Sequence, residues 1–169
     1  MSFSKRMSRI KPSGIRAVQK RIAGKSDMIS FAAGLPDPAL YPLEDLRKAA
    51  DTMLEKEGAT AFAYGLTKGY GPLLDYLTDR MNNREHVECT KENICILSGS
   101  QQGLGLAAMT FLDEGDVVIT ENPSYLGAIN AFRPYGAEFV GVDTDDDGIV
   151  IEDLERALEE NPNTKLIYV

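Results

Sequence analysis

The sequence predicts an α/β fold, a mainly parallel sheet with flanking helices. Short apolar, largely β-branched runs, ICIL (94–97), VVIT (117–120), EFVGV (138–142) and LIYV (166–169), alternate with helix-forming stretches at 99–112, 123–133 and 151–160. Strands that alternate with helices build βαβ units, whose parallel strands are buried on both faces. A composition of 43% hydrophobic and 26% charged residues over 169 positions is globular and sufficient for one core of fair size. Disordered and fibrous classes are excluded.

The elements follow in order. Residues 11–23 suit a helix, with Ser13 at the N-cap and Gly24 as its stop. ISFAAGLPDPALYP (29–42) strings Gly and Pro among apolar residues and is expected to be extended and turn-rich. LEDLRKAADTMLEKEG (43–58) opens with acids, sets Leu46, Ala49, Ala50, Met53 and Leu54 on one helical face and closes on Gly58. AFAYGLTKGYG (61–71) reads as a glycine-rich loop, and Pro72 opens the next helix at its first turn. No repeat, low-complexity tract or linker interrupts the chain.

Charge is unevenly spread. Residues 1–26 carry eight Lys or Arg and no acid, and removing these eight from a net −8 leaves −16 on residues 27–169. So acidic a body is a poor partner for nucleic acid. The basic, Ser-containing start has the composition of a mitochondrial transit peptide but is expected to be a folded arm and helix. No apolar stretch has the length of a signal h-region or membrane span. The expected location is the cytoplasm, with the mitochondrial matrix as the alternative. Cys89 and Cys95 match no zinc spacing and are too few for a disulfide framework; both are expected as free thiols, Cys95 in a buried strand.

The stretch SGSQQGLGLAAM (98–109) directly follows the ICIL run. A helix N-terminus presents unpaired N–H groups and the positive end of the helix dipole, so a phosphate is held there without a cation. Gly99 permits close backbone approach, and Ser100 and Gln101 add side-chain donors. The same residues also suit a plain strand-to-helix turn capped by Ser. No Walker loop or dinucleotide glycine spacing is present.

SGSQQGL and ENPSYLG after two successive strands, ISFAAGLPDPALYP near the start and YGLTKGYGPLLDYL between them resemble the class I/II pyridoxal-phosphate aminotransferases of fold type I. Among these the chain is most similar to the branch of aminoadipate, kynurenine, aromatic and branched-chain aminotransferases. The resemblance implies that Gly99, Ser100 and Gln101 hold the phosphate of pyridoxal 5′-phosphate and that Tyr125 lies against its ring. It implies that Tyr64 reaches the phosphate of a neighbouring subunit, and so a homodimer with shared active sites. It implies that Gly34 lies beside the substrate carboxylate and that Arg16 is a mobile substrate-gating residue. Amino acids and 2-oxo acids are the implied substrates. Residues 1–45 become an N-terminal arm and helix with a substrate-side loop, and 46–169 the first part of the cofactor-binding large domain. Leu74 stands where the family often has arginine, which blurs the subgroup.

The catalytic lysine that forms the Schiff base, the acid at the pyridine nitrogen and the arginine that grips the substrate carboxylate lie, in the family, beyond Val169. None of Lys48, Lys56, Lys68, Lys91 and Lys165 has the context of that lysine. The chain is therefore expected to be the first part of a longer protein and inactive alone. Alternatives are a carbon–sulfur lyase of the same fold, a regulator fused to a winged-helix domain, for which residues 1–28 are too short, and a non-catalytic remnant. DTDDDG (143–148) lacks the Glu a calcium loop needs at its twelfth position, Leu154, and reads as an acidic strand-to-helix turn. His86, among charged residues past a helix end, reads as a surface histidine.

Overall fold

The structure is a computed structural model that describes residues 2–12, 14–23, 31, 34 and 36–169, of which 15, 16 and 19 through their backbone alone. Ser13 and Gly24, the expected cap and stop, lie outside the described residues. The elements are α1 (Lys5–Arg9), α2 (Gly14–Ile22), α3 (Leu43–Ala61), α4 (Gly71–Asn83), α5 (Ser100–Phe111), β1 (Val117–Glu121), α6 (Leu126–Phe132), β2 (Glu138–Val142), β3 (Thr144–Asp145), β4 (Gly148–Ile149), α7 (Ile151–Glu160) and β5 (Thr164–Tyr168). The chain divides into two compact units, one of Met1–Pro12 with Leu97–Val169 and one of Ser13–Ile96.

The first unit is the expected α/β structure. Its sheet runs β2-β1-β5, with both pairings parallel. Val117 to Thr120 of the central strand are all buried, as a parallel strand covered on both faces requires. Successive side chains of β1 point to opposite faces. Val118 packs with Ala108, Leu112, Ala128 and Phe132 from the α5 and α6 side. Val117 and Ile119 pack with Val142 and Ala157 from the α7 side. Burying each Val or Ile contributes about 1.5–3 kcal/mol. The Phe132 and Tyr168 rings meet edge to face, with centroids 6.0 Å apart. The unit also holds α1: Arg9 pairs with Glu114 and Arg6 lies 5.0 Å above the Tyr135 ring.

The second unit comprises α2, α3 and α4 with short 3₁₀ turns at Pro38–Leu40 and Lys91–Asn93. Among its described residues Leu74 of α4 is the buried apolar side chain, and the apolar face expected on α3 is exposed, Leu46 at 59% and Leu54 at 51%.

Several expectations are corrected. ICIL is not a strand. Ile94 keeps extended angles, φ −113 and ψ 138, but among the described residues the one backbone hydrogen bond that reaches the run from a distant segment joins Ile96 N to Lys68 O at 2.8 Å. A strand exists only through a ladder, and no neighbouring strand among the described residues supplies one. Cys95 is accordingly exposed; both cysteines are free. Gly58 does not stop α3, which runs on to Ala61. A glycine ends a helix by adopting positive φ, and Gly58 does not. The helix expected at 123–133 begins at Leu126, and the acidic turn at 143–148 contains the small antiparallel β3–β4 ribbon. His86 is exposed past the end of α4, as expected.

Candidate functional site

Gly99 is the N-cap of α5, at φ 87 and ψ 167. That region belongs almost wholly to glycine. No side chain caps the helix, so the Ser-capped turn is not what forms: Ser100 is the first helical residue, with its hydroxyl not used as a cap. The first turn closes through Gln102 N–H donating to Gly99 O at 3.2 Å. Among the described residues the amides of Ser100 and Gln101 have no acceptor. They open to solvent at the positive end of a 12-residue helix. The Gln102 side chain turns back to accept from Ser98 N at 2.6 Å, which pins the approach to the turn.

A second wall comes from the connection between β1 and α6. Tyr125 caps α6, its carbonyl accepting from the amides of Ala128 at 3.1 Å and Ile129 at 3.3 Å. Its ring folds back over Gly127, where an added Cβ would stand 2.6 Å from the phenol oxygen and nearer still to ring carbons. The residue remains 52% exposed, which leaves ring surface for a flat partner. Gln101 Nε2 donates to Gly127 O at 3.2 Å and so ties the first turn of α5 to the first turn of α6. The Ser124 hydroxyl, between the two walls in sequence, is closed off from solvent and has no partner among the described residues.

Gly99, Ser100, Gln101 and Tyr125 are thus brought together. Gln101 spends one side-chain N–H on the strut, and its backbone amide stays open. Sequence reasoning missed Gly127, for which the signal was a glycine two positions after the tyrosine.

Tyr64, Gly34 and Arg16 belong to the other unit. Tyr64 is fully exposed in the loop between α3 and α4. Gly34 takes a left-handed turn at φ 53. Arg16 is on α2, and its side chain lies outside the described residues. In the same unit, the Glu57 carboxylate accepts a hydrogen bond from the Tyr70 phenol and pushes its pKa up. A hydrogen bond from Lys68, aided by its charge, holds the Glu92 carboxyl below the ordinary glutamate value.

Residues 26–169 match the family model for aminotransferase class I and II. The chain belongs to this family. It is 38% identical to an aromatic-amino-acid aminotransferase of Thermococcus litoralis, over 98% of the chain and 40% of that protein. It is 39% identical to a 2-aminoadipate transaminase of Thermus thermophilus, over 94% of the chain and 38% of that protein. A Pyrococcus horikoshii kynurenine aminotransferase, solved with PMP, KYN and KYA, superposes with a TM-score of 0.87 at 36% identity, over 99% of the chain and 42% of that structure. The Thermus thermophilus α-aminoadipate aminotransferase complexed with N-(5′-phosphopyridoxyl)-L-leucine gives a TM-score of 0.79 at 38% identity, over 94% of the chain and 38% of that structure. The chain thus spans about 40% of the length of the relatives it matches. Among the described residues no helix is long and apolar enough to cross a membrane, and no cluster of metal-ligating side chains is found.

Proposed function

We propose that this chain supplies the phosphate cradle and ring-packing residue of a pyridoxal-phosphate-dependent aminotransferase, a cytoplasmic homodimer that moves an amino group from an amino acid to a 2-oxo acid. In this reading residues 1–45 form the arm and substrate-side loop and 46–169 open the large domain. The observation that carries it is the pair of tied helix starts: two open amides on α5, a glycine-only N-cap, and Tyr125 beside them on α6. This donor set fits a phosphate dianion, because it offers N–H and O–H groups and no carboxylate, and a Cβ at Gly99 would meet nothing within 4 Å.

When bound, the cofactor supplies a conjugated ring that acts as an electron sink. The chain's own residues hold and orient it. The Ser100 and Gln101 amides and the Ser100 hydroxyl donate to the phosphate. The Gln101 strut keeps α5 and α6 in register, so phosphate and ring are located by one rigid unit. Tyr125 lays its face on the ring and keeps water from it. Tyr64 donates its phenol O–H to the phosphate held by the neighbouring subunit. The Gly34 backbone borders the substrate carboxylate, and Arg16 closes over it.

The test is cofactor uptake and amino transfer by the natural full-length protein. Its absorbance should change on adding pyridoxal 5′-phosphate, and glutamate, 2-aminoadipate or an aromatic amino acid should yield the matching 2-oxo acid with a 2-oxo acid acceptor. Release of a thiol with pyruvate and ammonia from a β-thio-substituted amino acid, with no amino transfer, would instead assign carbon–sulfur lyase chemistry. No uptake of cofactor would refute the reading.

A further inference from the structure

We propose that Lys68 and Gly69 are positioning residues for Tyr64, acting by locking the loop between α3 and α4 onto residues 92–96; this rests on the role given to Tyr64 above. The loop's tip and its base differ sharply. Tyr64 has no hydrogen bond among the described residues and is fully exposed. Nothing around its side chain fixes its place, so any precision must come from the backbone that presents it.

That backbone is braced at one point. Lys68 Nζ donates to Glu92 O at 3.0 Å and pairs with the Glu92 carboxylate. One residue thereby grips main chain and side chain of the same partner. Lys68 O in turn accepts from Ile96 N at 2.8 Å. Gly69 sits at φ 123, and a Cβ there would stand 2.6 Å from Ile96 Cβ. Both the left-handed conformation and the contact therefore exclude a side chain. Gly69 N–H also donates to Leu66 O at 3.0 Å, closing the turn behind Tyr64. Two successive residues thus carry the hydrogen bonds and the close packing between the loop and 92–96 among the described residues. The loop that offers Tyr64 is thus fastened to residues 92–96 of its own unit.

If Lys68 acts on phosphate only by its charge, removing Glu92's charge should leave or improve affinity. If it acts by bracing, removing either partner should cost the same. The experiment is a double-mutant cycle on the full-length protein, reading the dissociation constant of pyridoxal 5′-phosphate for the cofactor-free form by fluorescence titration. Tyr64→Phe, Lys68→Met and Glu92→Gln should each weaken binding by roughly 3- to 10-fold, the scale of one hydrogen bond. Lys68→Met or Glu92→Gln added to Tyr64→Phe should change little more, and Lys68→Arg should keep most of the affinity. Multiplying effects, or loss in Lys68→Met with none in Glu92→Gln, would overturn the bracing role. Unchanged affinity in Lys68→Met and Glu92→Gln while Tyr64→Phe weakens binding would overturn it too. Cofactor binding untouched by Tyr64→Phe would instead refute the role of Tyr64, and the proposal with it.

Discussion

Two glycine-to-alanine substitutions should shift stability in opposite directions, although the added atom is the same and neither site offers it a clash. A Cβ at Gly99 or at Gly58 meets nothing within 4 Å. The difference is backbone conformation. Gly99 sits at φ 87 and ψ 167, where an L-residue costs about 1–3 kcal/mol. That lowers the folding equilibrium constant by roughly 5- to 140-fold. Gly58 lies inside α3, in a right-handed helix, where alanine should stabilise by about 0.5–1 kcal/mol. The two variants should therefore lie about 1.5–4 kcal/mol apart. Urea denaturation of the cofactor-free protein, followed by circular dichroism, should separate their midpoints by roughly 1–2 M for a slope of about 2 kcal/mol per M. Gly99→Ala should also weaken pyridoxal-phosphate binding, because relaxing φ swings the Ser100 and Gln101 amides away. Midpoints that move the same way, or a Gly99→Ala midpoint at or above wild type, would refute this account of the helix start.

Other expectations follow from the same geometry. Phe132→Ala empties a site that is 2% exposed and packed edge-on to Tyr168, and should destabilise by about 3–5 kcal/mol; a loss under about 1 kcal/mol in the same denaturation would mean that α6 is not seated on the sheet as described. Tyr125→Ala and Ser100→Ala should each raise the dissociation constant for pyridoxal 5′-phosphate, and unchanged values in both would move the site elsewhere. Because Lys68 holds Glu92 below its ordinary value of 4.5, the brace is complete above that pH and is lost as pH falls through the lowered value. Hydrogen exchange at Ile96 N–H, corrected for its intrinsic pH dependence, should then quicken on acidification in the wild type and not in Glu92→Gln; the same pH dependence in both would contradict the linkage. The Tyr70 phenol donates to Glu57 and has a raised pKa. That bond is present below the ordinary value of 10.0 and is lost as pH rises through the raised one, so the ultraviolet titration of Tyr70 should move to lower pH in Glu57→Gln, and an unmoved titration would refute the bond.

What was legible from the residues was local. Periodicity and punctuation placed α3, α4, α5 and α7 and the strands at 117, 138 and 164, because each depends on the spacing of apolar side chains within one short window. The same local reading left Gly99, Ser100 and Gln101 open between a phosphate cradle and a plain Ser-capped turn, and it was the family resemblance that pointed to the cradle. It failed wherever a partner distant in the chain decides. ICIL has the composition of a strand, but a strand needs a ladder, and the sheet is completed by β2 and β5 on either side of β1. Gly58 and Gly99 are the same residue type, yet Gly58 continues inside α3 while Gly99 takes positive φ and starts α5. The strut from Gln101 to Gly127 spans 26 positions and the brace from Lys68 to Glu92 spans 24. Sequence determined which segments could fold and where donors would gather; tertiary structure alone decided which donors stay open and which are already committed, because hydrogen-bond partners are chosen by proximity in space and not by order along the chain.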